Sequence, residues 1–440
     1  MTYYRPSKDI RSWGGVIRGE HEVAAPAWRD EVAPIIAEAI DRKFPILASG
    51  ARRSYGDSGL NPGGALIDTV GLDRIVAFDP QTGIVRAEGG VTLDTLLRMF
   101  VPRGFFLPVT PGTRFVTLAG AIANDVHGKN HHLAGTFGCW VKRIGLVTSA
   151  GQELELSERD NPSLFRATIG GLGLTGVIAW AELKLEQIAG TLMDVEKTAF
   201  SNLEEFFELS TQSEVGWTYA VSWIDTIMAG RGVFLRANHA PASDRPPRSS
   251  ERRYRVPVNF PGFLLNRHSI RLFNAVCYHK GRLRAGREVV PLARFFYPLD
   301  AVDNWNRMYG RRGMYQYQSV VPASAQADAT REMLAAIADA GQSSFLAVLK
   351  TFGTKTSPGM LSFPMEGTTL ALDFPNRGSE TTRFLDRLDA IVREAKGRLY
   401  PAKDGRMSAE MFRLGYPDWQ EFAKHVDPQF SSRFWRRVAG

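Results

Sequence analysis

Residues 111–128 read Pro-Gly-Thr-Arg-Phe-Val-Thr-Leu-Ala-Gly-Ala-Ile-Ala-Asn-Asp-Val-His-Gly, and no other stretch of the 440-residue chain constrains its fold as much. Gly112, Gly120 and Gly128 present no side chain, and Ala119, Ala121 and Ala123 present almost none. Backbone of this kind can lie directly against a large flat ligand, while Asn124 and Asp125 offer polar groups to it. Earlier in the chain, Gly50-Ala51-Arg52-Arg53-Ser54-Tyr55-Gly56-Asp57 has the same character. Consecutive N–H groups in such a turn can form a nest for a pyrophosphate. Alone, the Gly50 stretch reads equally well as a tight turn, and a small-residue packing helix would explain the alanines of 111–128. Together they suggest two walls with a phosphate-bearing ligand between them, a pattern that fits FAD.

The surrounding periodicities predict alternating helices and strands. Val32, Ile35, Ile36 and Ile40 stand at helical spacing among charged residues, which predicts an amphipathic helix over 30–42. Short strands are expected over 44–48, 65–68 and 84–87, and a helix over 93–100 with Thr92 as its N-cap. The class is α+β. Past residue 190 the strands lengthen, and two helices are expected over 325–340 and 383–396. The organisation expected is a cofactor domain over 1–190, to which 400–440 returns, and a substrate domain over 191–399. Gly171-Leu172-Gly173-Leu174-Thr175-Gly176 has the spacing of a dinucleotide fingerprint, but that fingerprint must open a helix. The residues after it alternate as a strand, so the Rossmann reading fails.

Residues 239–294 form a basic insertion. Pro- and Arg-rich 239–250 is expected to be a mobile loop, and 267–294, following Leu264 and Leu265, interleaves Arg and Lys with Ile270, Leu272 and Phe273. Two readings compete: the solvated face of an irregular insertion, or an interfacial patch that meets anionic lipid or a lipid phosphate. The net charge of +8 favours an anionic partner. Nucleic acid ranks below the others, because no helix-turn-helix, zinc-finger or RNP pattern is present. Cys139 and Cys277 belong to no CxxC pair, which disfavours a disulfide framework or a zinc site. In His127-Gly128-Lys129-Asn130-His131-His132, Gly128 interrupts helical histidine spacing, and no metal is expected. The N-terminal residues have no signal-peptide core and no run is apolar enough to span a bilayer, so a cytoplasmic enzyme is expected, with peripheral membrane contact open.

The Gly50 loop, the 111–128 run and the Gly-Gly-Leu-Gly-Leu-Thr-Gly-Val-Ile turn resemble the FAD domain of the vanillyl-alcohol-oxidase-type flavoproteins. Arg53-Ser54-Tyr55-Gly56-Asp57, His127 to His132 and Tyr400-Pro401-Ala402-Lys403-Asp404 are similar to the decaprenylphosphoryl-β-D-ribose 2′-oxidase subgroup, as are Phe296 to Asp300, Gln316-Tyr317-Gln318 and Leu349-Lys350. The resemblance implies a two-lobed fold with an antiparallel-sheet substrate domain. It places FAD contacts at Gly50, Arg53, Ser54, Tyr55, Gly56, Asp57, Gly112, Thr117, Gly120, Asn124, His127, Ile178 and Tyr400. It implies non-covalent FAD, since Arg53 stands where many relatives carry the histidine that attaches it.

The same resemblance places substrate contacts at Lys129, Gln316, Gln318, Lys350 and Lys403, and catalytic roles at Lys403, Tyr55 and His127. Read without it, Lys403 is a surface lysine paired with Asp404, and Lys129 and Lys350 suit a phosphate handle and a solvated surface equally well. The implied reaction oxidises the 2′-hydroxyl of a polyprenylphosphoryl-β-D-ribose, with quinone or oxygen as electron acceptor. An NAD(P)H-dependent short-chain reductase would then complete an epimerisation that gives an arabinose donor. The alternative is an alditol or aldonolactone oxidase acting on a soluble sugar. Departures from the subgroup are Arg52 in place of a glycine, Thr369 in place of an asparagine, and Ala371 where mycobacterial members carry a cysteine that certain covalent inhibitors attack.

Overall fold

The computed structural model describes residues 2–228, 230–241 and 253–440. Three sheets organise it. A four-stranded sheet runs in the order Arg5–Arg11, Arg18–Ala24, Ala65–Asp68, Ile46–Ser49, the last three strands parallel. A five-stranded antiparallel sheet has the order Ile75–Asp79, Ile84–Glu88, Val177–Lys184, Val141–Val147, Glu153–Leu156. The third is an eight-stranded antiparallel sheet built from Leu192–Phe200, Tyr219–Ile224, Gly232–His239, Gly286–Pro291, Met314–Pro322, Ala347–Phe352, Gly367–Pro375 and Arg398–Leu399.

Local sequence accounts for most of the first two sheets. The Val32–Asp41 helix buries Val32, Ile35, Ile36 and Ala39 along one face, and each large aliphatic among them contributes ~1.5–3 kcal/mol by leaving water. Thr92 caps Leu93–Phe100 by accepting from the Thr95 N–H at 3.1 Å. Gly173 and Gly176 adopt φ of +76° and +140°, and the chain passes straight into the strand Val177–Lys184, with no helix after the glycines.

In the large sheet the helices Gln326–Asp339 and Ser379–Glu394 bury apolar stripes. The second begins before the expected residue 383, because polar Ser379-Glu380-Thr381-Thr382 hides its first turn. The expectation of an irregular insertion is corrected. Residues Arg267–Leu283 form a helix with Asn266 as N-cap. Its buried stripe is Ile270, Asn274 and Tyr278, with one aliphatic residue, so apolar periodicity gave little signal. Of the expected mobile loop, His239 ends a strand and residues 242–250 lie outside the described residues.

The strand Arg398–Leu399 joins the edge of the large sheet and returns the chain to the first loop. There the Tyr55 N–H donates to the Ala402 carbonyl at 3.0 Å. Asp57, expected at the cofactor, is instead completely buried against Arg437 at 2.7 Å and Arg433 at 3.5 Å. Asp125, expected to offer its carboxylate to a ligand, is likewise turned inward. It accepts from the Gly138 N–H at 2.8 Å and from the Ser357 and Ser362 hydroxyls. Both side chains tie loops together behind the wall. Burial pushes both carboxyls above their usual range, and these partners oppose it.

Candidate active site

One cavity of about 1220 Å³ lies between the small-residue walls and the large sheet. That exceeds the ~300–1,000 Å³ of an ordinary ligand pocket and leaves room for a cofactor and a substrate together. Gly50, Arg53, Ser54, Tyr55 and Gly56 line it from the first loop. Gly112, Thr117, Gly120, Asn124 and His127 line it from the second, with Ile178 and Tyr400 beside them. Lys129, Gln316, Gln318, Lys350 and Lys403 complete the facing side, together with Thr369 and Ala371. Asp57 is the one predicted site residue absent from the lining.

The cofactor wall is built by close backbone approach. A Cβ on Gly56 would stand 1.5 Å from the Asp404 carbonyl oxygen, and one on Gly50 would meet Thr117 Oγ1 at 2.2 Å. Thr117 caps the Leu118–Ala123 helix, and Asn124 bonds back to the Gly120 carbonyl at 2.8 Å. Arg52 keeps a left-handed φ of +49° in a position that favours glycine. Asp68 holds its guanidinium at 3.0 Å. Arg53 lies over the Trp13 ring at 4.3 Å.

Several buried polar atoms on this wall have no partner among the described residues: Ser49 Oγ, Arg53 Nε, Ser58 Oγ and Asn124 Oδ1. Buried polar atoms are rarely left unpaired. Arg53 Nε needs an acceptor, Asn124 Oδ1 needs a donor, and the two hydroxyls can do either. FAD carries phosphate and carbonyl acceptors together with hydroxyl and ring N–H donors, so it fits that set and the shape of the cradle.

On the facing side three lysines converge. Burial pushes Lys129 down to about 7. Lys350 is brought to about 7 by burial and then by the charges of Lys129 and Lys403. Burial lowers Lys403 to about 8, against the pull of the Asp373 carboxylate. Lys403 is therefore no surface residue. Its Nζ sits over the Tyr55 ring at 4.1 Å, and Asp404 pairs with Arg437 at 3.2 Å. Lys129 and Lys350 are not free surface side chains either, since both line the cavity half-buried. Lys129 donates to the Phe295 carbonyl, and Lys350 donates to the Gly128 carbonyl at 2.9 Å.

His127 lies among these groups. Lys350 Nζ is 2.9 Å from its Nδ1 and Gln318 Nε2 is 3.1 Å from its Nε2. Burial, with Lys350 next, holds the imidazole well below its usual pKa, so it is neutral. A neutral ring has one lone pair for two facing donors. Either the Gln318 amide presents its oxygen, or Lys350 is an amine that accepts from Nδ1–H. Tyr55 stays a phenol, since burial raises its pKa well above the usual value.

Sequence reasoning missed Asp373. It accepts from Gln316 Nε2 at 2.7 Å, and burial lifts its carboxyl to about 7. A lone acid inside Thr369-Leu370-Ala371-Leu372-Asp373-Phe374 was the available signal.

Comparison with known proteins agrees with this geometry. Residues 21–157 match the family model described as an FAD binding domain. The chain is 37% identical over 413 residues to the decaprenylphosphoryl-beta-D-ribose oxidase of Mycolicibacterium smegmatis, covering 89% of each. The chain belongs to the decaprenylphosphoryl-β-D-ribose oxidase family. It is an FAD-dependent oxidoreductase of the vanillyl-alcohol-oxidase type. More limited similarity links this family member to L-gulono-1,4-lactone dehydrogenase of Mycobacterium tuberculosis, 30% identical over 34% of the chain and 35% of that protein. L-galactono-1,4-lactone dehydrogenase of Arabidopsis thaliana is 26% identical over 54% of the chain and 39% of that protein.

Proposed function

We propose that the protein oxidises the 2′-hydroxyl of a polyprenylphosphoryl-β-D-ribose to the 2′-keto sugar. The observation that carries this reading is the set of three lysines opposite the glycine wall. A sugar held by its phosphate among Lys129 and Lys350 presents its ring to the FAD side, and that fixed geometry supplies much of the rate. The family relationship supports the same substrate class. Soluble lactones are the second candidate, but similarity to lactone dehydrogenases covers a third to a half of the chain.

FAD, when bound, supplies the hydride acceptor. The residues here manage the remaining proton and charge. Loss of hydride from the 2′-carbon leaves the hydroxyl proton to be removed. Lys403, with a pKa of about 8, has an amine fraction near neutral pH that takes this proton at Nζ. Its ammonium form stabilises negative charge at the same place. Tyr55 supports Lys403 from below, while Gln316 joins Asp373 to the cavity. His127 positions Lys350 and Gln318, and its neutral ring is too weakly basic to compete for the proton. FAD is non-covalent, in keeping with Arg53. Quinone or oxygen takes the electrons, an NAD(P)H-dependent short-chain reductase consumes the keto sugar, and the enzyme works in peripheral contact with the membrane holding its substrate.

The test is a visible spectrum followed by anaerobic titration. Acid should release yellow flavin from the polypeptide, and polyprenylphosphoryl ribose should bleach the holoprotein. Bleaching by free alditols or lactones but not by the lipid phosphate would overturn the assignment.

A further inference from the structure

The basic insertion has no part in the chemistry above, yet its surface is unlike the rest of the molecule. Among the described residues, nine of the seventeen most exposed large hydrophobic side chains fall between Tyr254 and Val289. That span is less than a tenth of the sequence. Residues 253–294 also hold nine lysines and arginines against one glutamate, a formal +8 that equals the net charge of the whole chain.

The helix Arg267–Leu283 orders these residues. Its inner face is Ile270, Asn274 and Tyr278. On the outer face stand Leu272, 68% exposed, Val276, 56%, and Leu283, 87%. At ~100° per residue these three fall within about 40° of one another. By the same rotation Arg271 and Arg282 flank one side of the stripe, and Lys280 and Arg284 the other. An exposed apolar stripe between cationic rails is the arrangement of a helix that lies in a lipid interface.

The neighbouring chain connects this face to the cavity. Arg253 and Arg255 line the cavity, and Arg253 lies over the Phe115 ring at 5.3 Å. Tyr254 between them is exposed. The strand Tyr254–Arg255 pairs with Val302–Asp303, and both residues of that partner also line the cavity.

We propose that the outer face of the Arg267–Leu283 helix, with the Tyr254–Arg255 strand, docks on an anionic bilayer and holds the Arg253 and Arg255 edge of the cavity at the headgroup layer. This deepens the lipid-substrate reading and rests on it for its purpose. A second copy of the chain is a poor occupant, because an isologous contact would press one cationic rail against another. Among the described residues no helix is long and apolar enough to cross a membrane, so the contact proposed here is peripheral.

The test is co-sedimentation of the holoenzyme with vesicles of phosphatidylcholine alone or mixed with phosphatidylglycerol. Binding should require the anionic lipid and weaken with salt. The triple variant L272E/V276E/L283E should lose at least about tenfold in partitioning. It should still oxidise a short-chain, water-soluble phosphoryl ribose at the wild-type rate, because the three residues lie outside the cavity. A second variant, R271E/K280E/R282E, should lose the preference for anionic vesicles. Equal partitioning of wild type and both variants, or no vesicle binding by wild type, overturns the proposal. So does a dimer in light scattering that the triple variant dissociates. If vesicles bind but no lipid-linked ribose is oxidised, the substrate reading fails and the docking surface stands. If the short-chain sugar is oxidised and vesicles are ignored, only the docking surface fails.

Discussion

The two sides of the cavity are built on opposite principles. The cofactor side is backbone: glycines and alanines line it, and at Gly50 and Gly56 an added methyl group would collide with the neighbouring chain. The facing side is made of long side chains, three lysines and two glutamines, several of them raised on strands of the large sheet. A wall of main chain recognises shape and phosphate and tolerates little change. A wall of side chains can be altered residue by residue without losing the fold. The difference teaches where substrate choice can be tuned: on the lysine side, where one side chain changes without disturbing the backbone of the other.

Substitutions on the two sides should therefore fail differently. The largest effect is expected for Gly56→Ala, whose methyl group has no space beside the Asp404 carbonyl. Flavin content after purification should fall to near zero, together with the thermal midpoint. Retention of FAD by this variant would break the contrast. Lys403→Met should keep its flavin and lose about 10²–10⁴-fold in the rate of anaerobic reduction. Stopped-flow absorbance measures it, and an undiminished rate would remove Lys403 from the chemistry.

Behind the walls, Asp125→Ala strands the Gly138 N–H and two serine hydroxyls. A loss of roughly 3 kcal/mol is expected in chemical denaturation, with no selective effect on substrate. Lys350→Met should raise KM for the phosphorylated sugar about tenfold and change kcat little. The smallest effect is a pH dependence. Lys129 and Lys350, brought to about 7, are cationic below that value and neutral above it. KM should rise as pH increases from 6 to 9, and substrate binding near pH 7 should take up protons from buffer. A KM independent of pH would show that the lysines stay charged throughout and would sharpen the comparison in favour of a fixed cationic wall.

Much of this was legible in the linear chain because it is local. Small residues at 50–56 and 111–128 specify a cradle wherever they fold, since the freedom of glycine and the bulk of a methyl group do not depend on distant partners. Thr92, the Val32–Asp41 helix and the strand after Gly176 follow from spacing within one element. The family resemblance added the lysines, since residue types alone left Lys129 and Lys350 undecided and put Lys403 on the surface. Asp57 and Asp125 were misplaced because a small-residue loop suits a ligand or a buried polar contact equally well. Only the folded positions of Arg437, Ser357 and Ser362 decide between them. Asp373 left only a faint trace, as the lone acid of an apolar strand, and the pairing of His127 with Lys350 left none, for a related reason. The latter residues are 223 positions apart, and their pKa values depend on burial that arises when the large sheet closes over the cavity. The chain by itself determined that a flat phosphate-bearing cofactor would be gripped, since backbone shape is encoded by adjacent residues. Which charges would face it, and in which protonation state, was decided by tertiary structure, because desolvation is a property of everything packed around a group.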